Sequence, residues 1–156
     1  MDNLHALTIF AAIAELREQK ISSRDLVEAC FQQIERLNSK LNAFITVIDL
    51  EEALNAQVPG THASTSNALR GIPIALKDLF DTAGVRTTAG STFFAGNIPE
   101  QDAFVVDQLK KAGAILMGKT NTHEIALGVT GNNPHYGTAR NPWDTTRIPG
   151  ARRWRT

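Results

Sequence analysis

Apolar positions recur at helical spacing over the first forty residues and at strand spacing or in short runs after that. Leu4, Leu7, Ala11 and Ala14 form one stripe, with Glu15, Arg17 and Glu18 at the polar end, which predicts a helix over 4–19. Ile21-Ser22-Ser23 interrupts it. Ser22 followed three residues later by Asp25 is a capping-box-like start, and the carboxylate suits a helix N-terminus. Leu26, Val27, Cys30, Phe31, Ile34, Leu37 and Leu41 then define a broad apolar face on a second helix. Cys30 sits on that face and reads as a small buried hydrophobe rather than a nucleophile.

The run 43–48 (Ala-Phe-Ile-Thr-Val-Ile) predicts a strand, and 49–57 a helix that ends at Val58-Pro59-Gly60. Residues 61–67 are small and polar, an exposed connection within one domain. Residues 71–76 (Gly-Ile-Pro-Ile-Ala-Leu) predict a second strand, with Pro73 at an edge or strand-entry position. A glycine-punctuated segment runs from there to Gly96. Asp102 reads as the N-cap of a helix whose Phe104, Val105 and Leu109 face a core and which ends at Lys110, Lys111 and Gly113. Ala114–Met117 reads as a buried strand. Strand, long connection, helix and strand form a crossover unit, so the fold class is α/β. A connection of about twenty-five residues before the helix marks a functional or mobile loop.

Composition narrows the classes. The 156 residues hold sixteen Lys plus Arg, sixteen Asp plus Glu, and 42% apolar residues, enough to bury a core. A balanced charge removes the electrostatic reason to expect nucleic acid or an anionic membrane. Arg152, Arg153 and Arg155 fall in the last five residues, so residues 1–150 carry thirteen basic against sixteen acidic side chains. One cysteine, no Asn-x-Ser/Thr sequon, an acidic start and no long apolar run point to a cytoplasmic protein. His5, His62, His123 and His135 show no metal-ligand spacing, and no Gly-x-Gly-x-x-Gly, phosphate loop or Gly-x-Ser-x-Gly occurs.

Three places carry local chemistry. Lys77 follows an apolar strand directly, where α/β enzymes place reactive groups, although alone it reads as a strand-end charge paired with Asp78 or Asp81. His123-Glu124 is an acid/base pair only as the less favoured reading beside an exposed helical turn. Residues 131–137 (Gly-Asn-Asn-Pro-His-Tyr-Gly), with Asn141-Pro142, are turn chemistry first and a tightly specified loop.

Taken together, four separated segments resemble the amidase signature family. They are 71–78 (Gly-Ile-Pro-Ile-Ala-Leu-Lys-Asp), 87–91 (Thr-Thr-Ala-Gly-Ser), Gly118-Lys119-Thr120-Asn121 with Glu124, and Asn141-Pro142-Trp143-Asp144 closing in Arg147-Ile148-Pro149-Gly150. The resemblance implies a large mixed sheet covered by helices, several hundred residues long, of which this chain is the N-terminal part. It implies a hydrolase of small or lipid amides, or the amidotransferase component that acts on mischarged tRNA, with the stand-alone amidase as the first reading. It implies no cofactor. It also implies a serine nucleophile, a second serine in a cis peptide bond that relays the proton, and a neutral lysine base, matched here by Lys77. A lysine works as a base near neutrality only if desolvation lowers its pKa from about 10.4, and the apolar strand leading into Lys77 is expected to bury the amine.

The family's Gly-Gly-Ser-Ser-Gly-Gly-Ser run is expected after Ile148-Pro149-Gly150, but the chain reads Ala151-Arg152-Arg153-Trp154-Arg155-Thr156. Arg152 and Arg153 stand where the paired serines belong and cannot relay a proton. Ser22, Ser23, Ser39, Ser64, Ser66 and Ser91 lie on no nucleophile motif. Written in GC-rich codons and read two bases on, the tail gives Ala-Ala-Val-Ala-His, as expected of out-of-frame coding after a deletion. The division is therefore 1–150, amidase portion, and 151–156, aberrant tail. Three readings remain: an inactive amidase portion that keeps Lys77, a non-catalytic binding or assembly fragment, and an artefact of a complete enzyme. Sheet edges and apolar faces left without neighbours are expected to drive oligomerisation or aggregation.

Overall fold

The computed structural model describes residues 3–56 and 68–150. Four α-helices and a three-stranded sheet make up its regular elements: α1 (Ile9–Arg17), α2 (Ser23–Leu41), β1 (Phe44–Val47), α3 (Leu50–Asn55), β2 (Pro73–Lys77), α4 (Phe104–Lys111) and β3 (Ile115–Thr120). The expected loop 61–67 and tail 151–156 lie outside the described residues.

The α2 helix forms as its sequence dictates. The Ser22 hydroxyl accepts from the Asp25 amide at 3.1 Å, and the Asp25 carboxylate accepts from the Ser22 amide at 2.8 Å. Leu26, Val27 and Phe31 are buried along one face, with Cys30 and Ile34 half-buried beside them. Burial pushes the Cys30 thiol pKa up, which makes it less nucleophilic, in keeping with a packing role. Asn42 closes the helix in the left-handed region at φ 49°.

The stripe at 4–19 does not make one helix. Leu4–Ala6 is a single 3-10 turn, and α1 starts only at Ile9, because the Thr8 hydroxyl accepts from the Ala11 amide and makes residue 8 an N-cap. Asp102 does not cap α4 either. Its carboxylate accepts from the Ala83 amide at 2.8 Å and pairs with Lys110, while Ala103 takes the cap position with no side-chain bond. The buried face of α4 differs in part from the expected one. Val106 is buried and Leu109 packs on the core, whereas Phe104 is 80% exposed and Val105 faces outward.

The sheet order is β1-β3-β2, with β1 antiparallel and β2 parallel to the central β3. The β2–α4–β3 crossover matches the expected unit. Pro73 opens β2, whose outer edge bonds to no other described strand, so the missing proline N–H costs nothing. Ile115, Leu116 and Met117 fill the core against Val27, Phe31, Ile48, Ala53, Leu76 and Val106. β3 continues past Met117 through Gly118, Lys119 and Thr120, farther than its apolar run predicts. Gly118 adopts φ 154° where β3 presses on β1, and a Cβ there would sit 2.3 Å from the Thr46 carbonyl oxygen.

Candidate active site

The carboxyl ends of the parallel strands β2 and β3 lie side by side, with Lys77 paired in register to Thr120. In open α/β sheets this end is where ligands bind. Lys77 is exposed and borders a hollow of about 230 Å³ whose rim includes Asn121, Thr122, His123 and Thr130. It forms no ion pair with another described residue, so the expected pairing with Asp78 or Asp81 is absent. The expected burial of its amine is absent too. β2 is an edge strand, and no described element covers the end where Lys77 stands. A larger hollow of about 700 Å³ lies at the α1–α2 junction, around Leu16, Ile21 and Arg70, and holds none of the motif side chains.

Asp78 turns the opposite way and is fully buried. One carboxylate oxygen, Oδ2, accepts from the Thr88 amide at 3.0 Å, the Thr88 hydroxyl, and the Gly90 amide at 3.3 Å. The other, Oδ1, has no partner among the described residues. Asp78 thus fixes the segment 87–91 beside the strand end, and joins two of the four motifs through one side chain.

The buried lysine of this site is Lys119, which sequence reasoning left without a role. Its ammonium donates to the Phe80 carbonyl, the Thr82 hydroxyl at 3.1 Å and the Thr87 hydroxyl at 2.7 Å. Both hydroxyls donate their own protons onward, to the carbonyls of Phe80 and Val85, so their lone pairs face the amine. Three acceptors match the three N–H groups of an ammonium. Burial lowers the Lys119 pKa, and the carboxylates of Asp78, Asp81 and Asp102 oppose that shift. A lysine inside a strand pattern gives no sequence cue that it is buried.

His123 and Glu124 do not pair. The His123 ring packs on Gly128 with Nδ1 buried and unpartnered, while Glu124 turns to Ser91 and His135. The Ser91 hydroxyl donates to Glu124 Oε1 at 2.7 Å, and His135 Nε2 meets the same oxygen at 2.8 Å. A carboxylate between serine and imidazole is the wrong order for a nucleophilic triad, in which the imidazole must touch the serine. The cluster is a clamp between the loop at 91 and the loop at 135.

These bonds hold the Glu124 carboxyl below the usual range, the Ser91 hydroxyl contributing most. A lowered carboxylate pKa adds stability that is complete above its unfolded value, about 4.3, and is lost as pH falls through the folded value. Melting temperatures taken from pH 5.5 down to 3 are expected to fall less steeply for Glu124→Gln than for the unmodified chain.

The loop 131–137 is as tightly specified as its composition implies. Buried Asn133 donates to the carbonyls of Gly90 and Thr122 at 2.7 and 2.8 Å, and its oxygen accepts from the amides of His135 and Tyr136. Asn121 ties the end of β3 to Asn42 and Gly137. Backbone strain gathers here as well. Ala89, Ile125 and Ala126 all have φ near +50°, and the Ile125 amide donates to the Ala89 carbonyl at 2.7 Å. For a β-branched residue this conformation is an outlier, and such outliers cluster at functional sites.

The protein-family model Amidase matches residues 25–151, which takes in every motif of this site. The chain belongs to the amidase family. It is 46% identical over 151 residues to the A subunit of glutamyl-tRNA(Gln) amidotransferase from Aromatoleum aromaticum, covering 91% of this chain and 30% of that protein. The solved structure of 6-aminohexanoate cyclic dimer hydrolase superimposes with a TM-score of 0.84 at 29% identity, over 96% of this chain and 30% of the hydrolase. The corresponding amidotransferase protein of Thermotoga maritima does so with a TM-score of 0.75 at 31% identity, again over 96% and 30%. The α/β fold is therefore that of amidase enzymes, in part: the chain spans about a third of the length of the relatives it matches. No helix among the described residues is long and apolar enough to cross a membrane.

Proposed function

We propose that residues 1–150 form the base-bearing part of an amide hydrolase, with Lys77 as the base and the serine nucleophile and relaying serine supplied from outside these residues. The position of Lys77 carries the reading. It is the one motif side chain that ends a strand, stands exposed and has no charged partner among the described residues, beside an open hollow. Among the described residues, its rim contains no serine. In the complete site the serine hydroxyl attacks the amide carbonyl and its proton passes through the second serine to the lysine amine; that proton goes to the leaving nitrogen as the C–N bond breaks, and water, deprotonated by the same relay, then cleaves the acyl-serine to the acid and restores the hydroxyl. Covering the hollow would remove water from Lys77 and favour the neutral amine that the chemistry needs. Residues 1–150 on their own carry the base without its nucleophile in this reading, and are expected to hydrolyse no amide, since such groups act as a unit.

A chimera tests this: residues 1–150 of this chain replace the matching N-terminal part of the A. aromaticum relative. Hydrolysis of a simple carboxylic amide by the chimera supports the reading, and an inactive but folded chimera counts against it. The identity to that relative favours a second reading, in which the complete protein is an amidotransferase component. Amidation of Glu-tRNA(Gln) by the chimera together with the other components of the amidotransferase separates that reading from a stand-alone amidase.

A further inference from the structure

The hollow beside Lys77 has two walls of unequal support. One is formed by Asn121, Thr122 and His123, the other by the segment 128–131. The first is fastened from several directions. The Asn121 amide donates to the Ala43 carbonyl, its side chain to the carbonyls of Asn42 and Gly137, and buried Asn133 to the Thr122 carbonyl. No backbone hydrogen bond among the described residues joins 128–131 to another segment. That wall hangs between Asn133 and the turn 124–127, and the turn is strained. Ile125 sits at φ 48°, ψ 25° and Ala126 at φ 54°, in the left-handed region that side chains, β-branched ones above all, disfavour. Such a conformation persists only where its surroundings enforce it. Three bonds to other segments do so here. Glu124 Oε1 accepts from the Ser91 hydroxyl at 2.7 Å and meets His135 Nε2 at 2.8 Å, and the Ile125 amide donates to the Ala89 carbonyl at 2.7 Å. None of Ser91, Glu124, Ile125 and His135 borders the hollow itself.

We infer that Glu124 is a positioning residue: from behind the hollow it holds the 124–127 turn in its strained form and so sets the wall 128–131 against the wall 121–123. The spacing governs how a substrate fits there, a use of the hollow that rests on the proposed function. Lys77 does not depend on the clamp, because β2 is paired in register to β3. Release of the clamp therefore leaves the base in place, and lets the second wall drift as Ile125 and Ala126 return to common backbone angles. Only the fraction of molecules with the turn intact then binds substrate well, which raises KM. Bound substrate selects that same fraction, so kcat is kept. Reach rather than charge decides the effect. Glu124→Gln keeps an oxygen that accepts from a hydroxyl and an imidazole N–H, whereas Glu124→Asp keeps the charge but is one methylene too short to touch both.

Amide signals of the full chain in two-dimensional nuclear magnetic resonance read the wall without turnover. Glu124→Ala and Glu124→Asp are expected to shift the signals of 128–131 and leave those of β2 in place, while Glu124→Gln keeps them near their original positions. Ile125→Gly added to Glu124→Ala is expected to return them, since glycine adopts the left-handed region freely. The chimera gives the kinetic reading, with propionamide as substrate. Glu124→Ala is expected to raise KM at least about fivefold, the factor by which one left-handed side chain is disfavoured, with kcat within about twofold. Ile125→Gly recovers most of that rise. A merely structural role would lower the melting temperature and leave KM unchanged below it, and that result overturns the inference. So does Glu124→Gln as damaging as Glu124→Ala, or a double variant with no recovery. Where Glu124→Ala does not fold, Glu124→Asp alone and with Ile125→Gly gives the same two readings. An unmodified chimera that hydrolyses nothing removes the proposed function and leaves the clamp to be judged by the resonance signals, so the two ideas fail separately.

Discussion

Alanine at position 77 is expected to lower the amide hydrolysis of the chimera by at least about 10³-fold while leaving its melting temperature within a degree or two. A positioned general base contributes about 10²–10⁴-fold, and loss of the only base for a serine nucleophile falls at the upper end. Stability is a separate matter. Lys77 is exposed at the end of an edge strand and forms no ion pair with a described residue, so its truncation belongs with surface changes of within about 0.5 kcal/mol. Arginine at the same position is expected to be as inactive as alanine, because a guanidinium stays charged at any working pH and cannot accept the proton. A Lys77→Ala chimera that retains hydrolysis would assign the base elsewhere. One that loses activity only in step with its melting temperature would make Lys77 structural.

Valine at Gly118 is expected to abolish folding. β3 is the central strand, bonded to β1 on one side and β2 on the other, and Gly118 is in register with Val47 and Ala75. A Cβ would lie 2.3 Å from the Thr46 carbonyl oxygen and 3.1 Å from the Val47 Cα, both main-chain atoms of the neighbouring strand. Neither can rotate away as a side chain would. Relief requires β1 to leave the sheet, which exposes core side chains and breaks ladder bonds. A cost above about 4–5 kcal/mol is expected against a total stability of about 5–15 kcal/mol. Soluble yield and far-ultraviolet circular dichroism read the outcome. Gly84→Ala is the control: it shares a positive φ, 74°, but its Cβ would meet open space, so only the backbone strain of about 1–2 kcal/mol is felt.

The parts of the fold that local chemistry controls were legible in the sequence. Ser22 and Asp25 announce α2, its apolar spacing gives the buried face, and Pro73 marks the entry of β2. What failed was decided by partners distant along the chain. Asp102 has the right residue type for an N-cap, yet Lys110 and the Ala83 amide claim its carboxylate. Thr8 is nearer at hand but sits inside an apolar stripe, and its hydroxyl bond to Ala11 starts the helix later than the stripe suggests. Lys77 emerged only from the set of motifs, and its expected burial failed because strand order is not written in the strand. Lys119 was invisible for the mirror-image reason. Its neighbours Phe80, Thr82 and Thr87 are more than thirty residues away, and only the folded loop collects their oxygens around one amine.

Lys119 and Lys77 therefore offer the same functional group to an amine-directed reagent under opposite conditions. On adjacent strands, one amine points into water and the other is enclosed by three oxygens. Acetylation or reductive methylation of the native chain would reach position 77 directly, because its side chain is exposed. Position 119 would react only when β3 and the 80–87 loop separate, so its labelling becomes a clock for opening of the fold and needs no enzymatic turnover to be read.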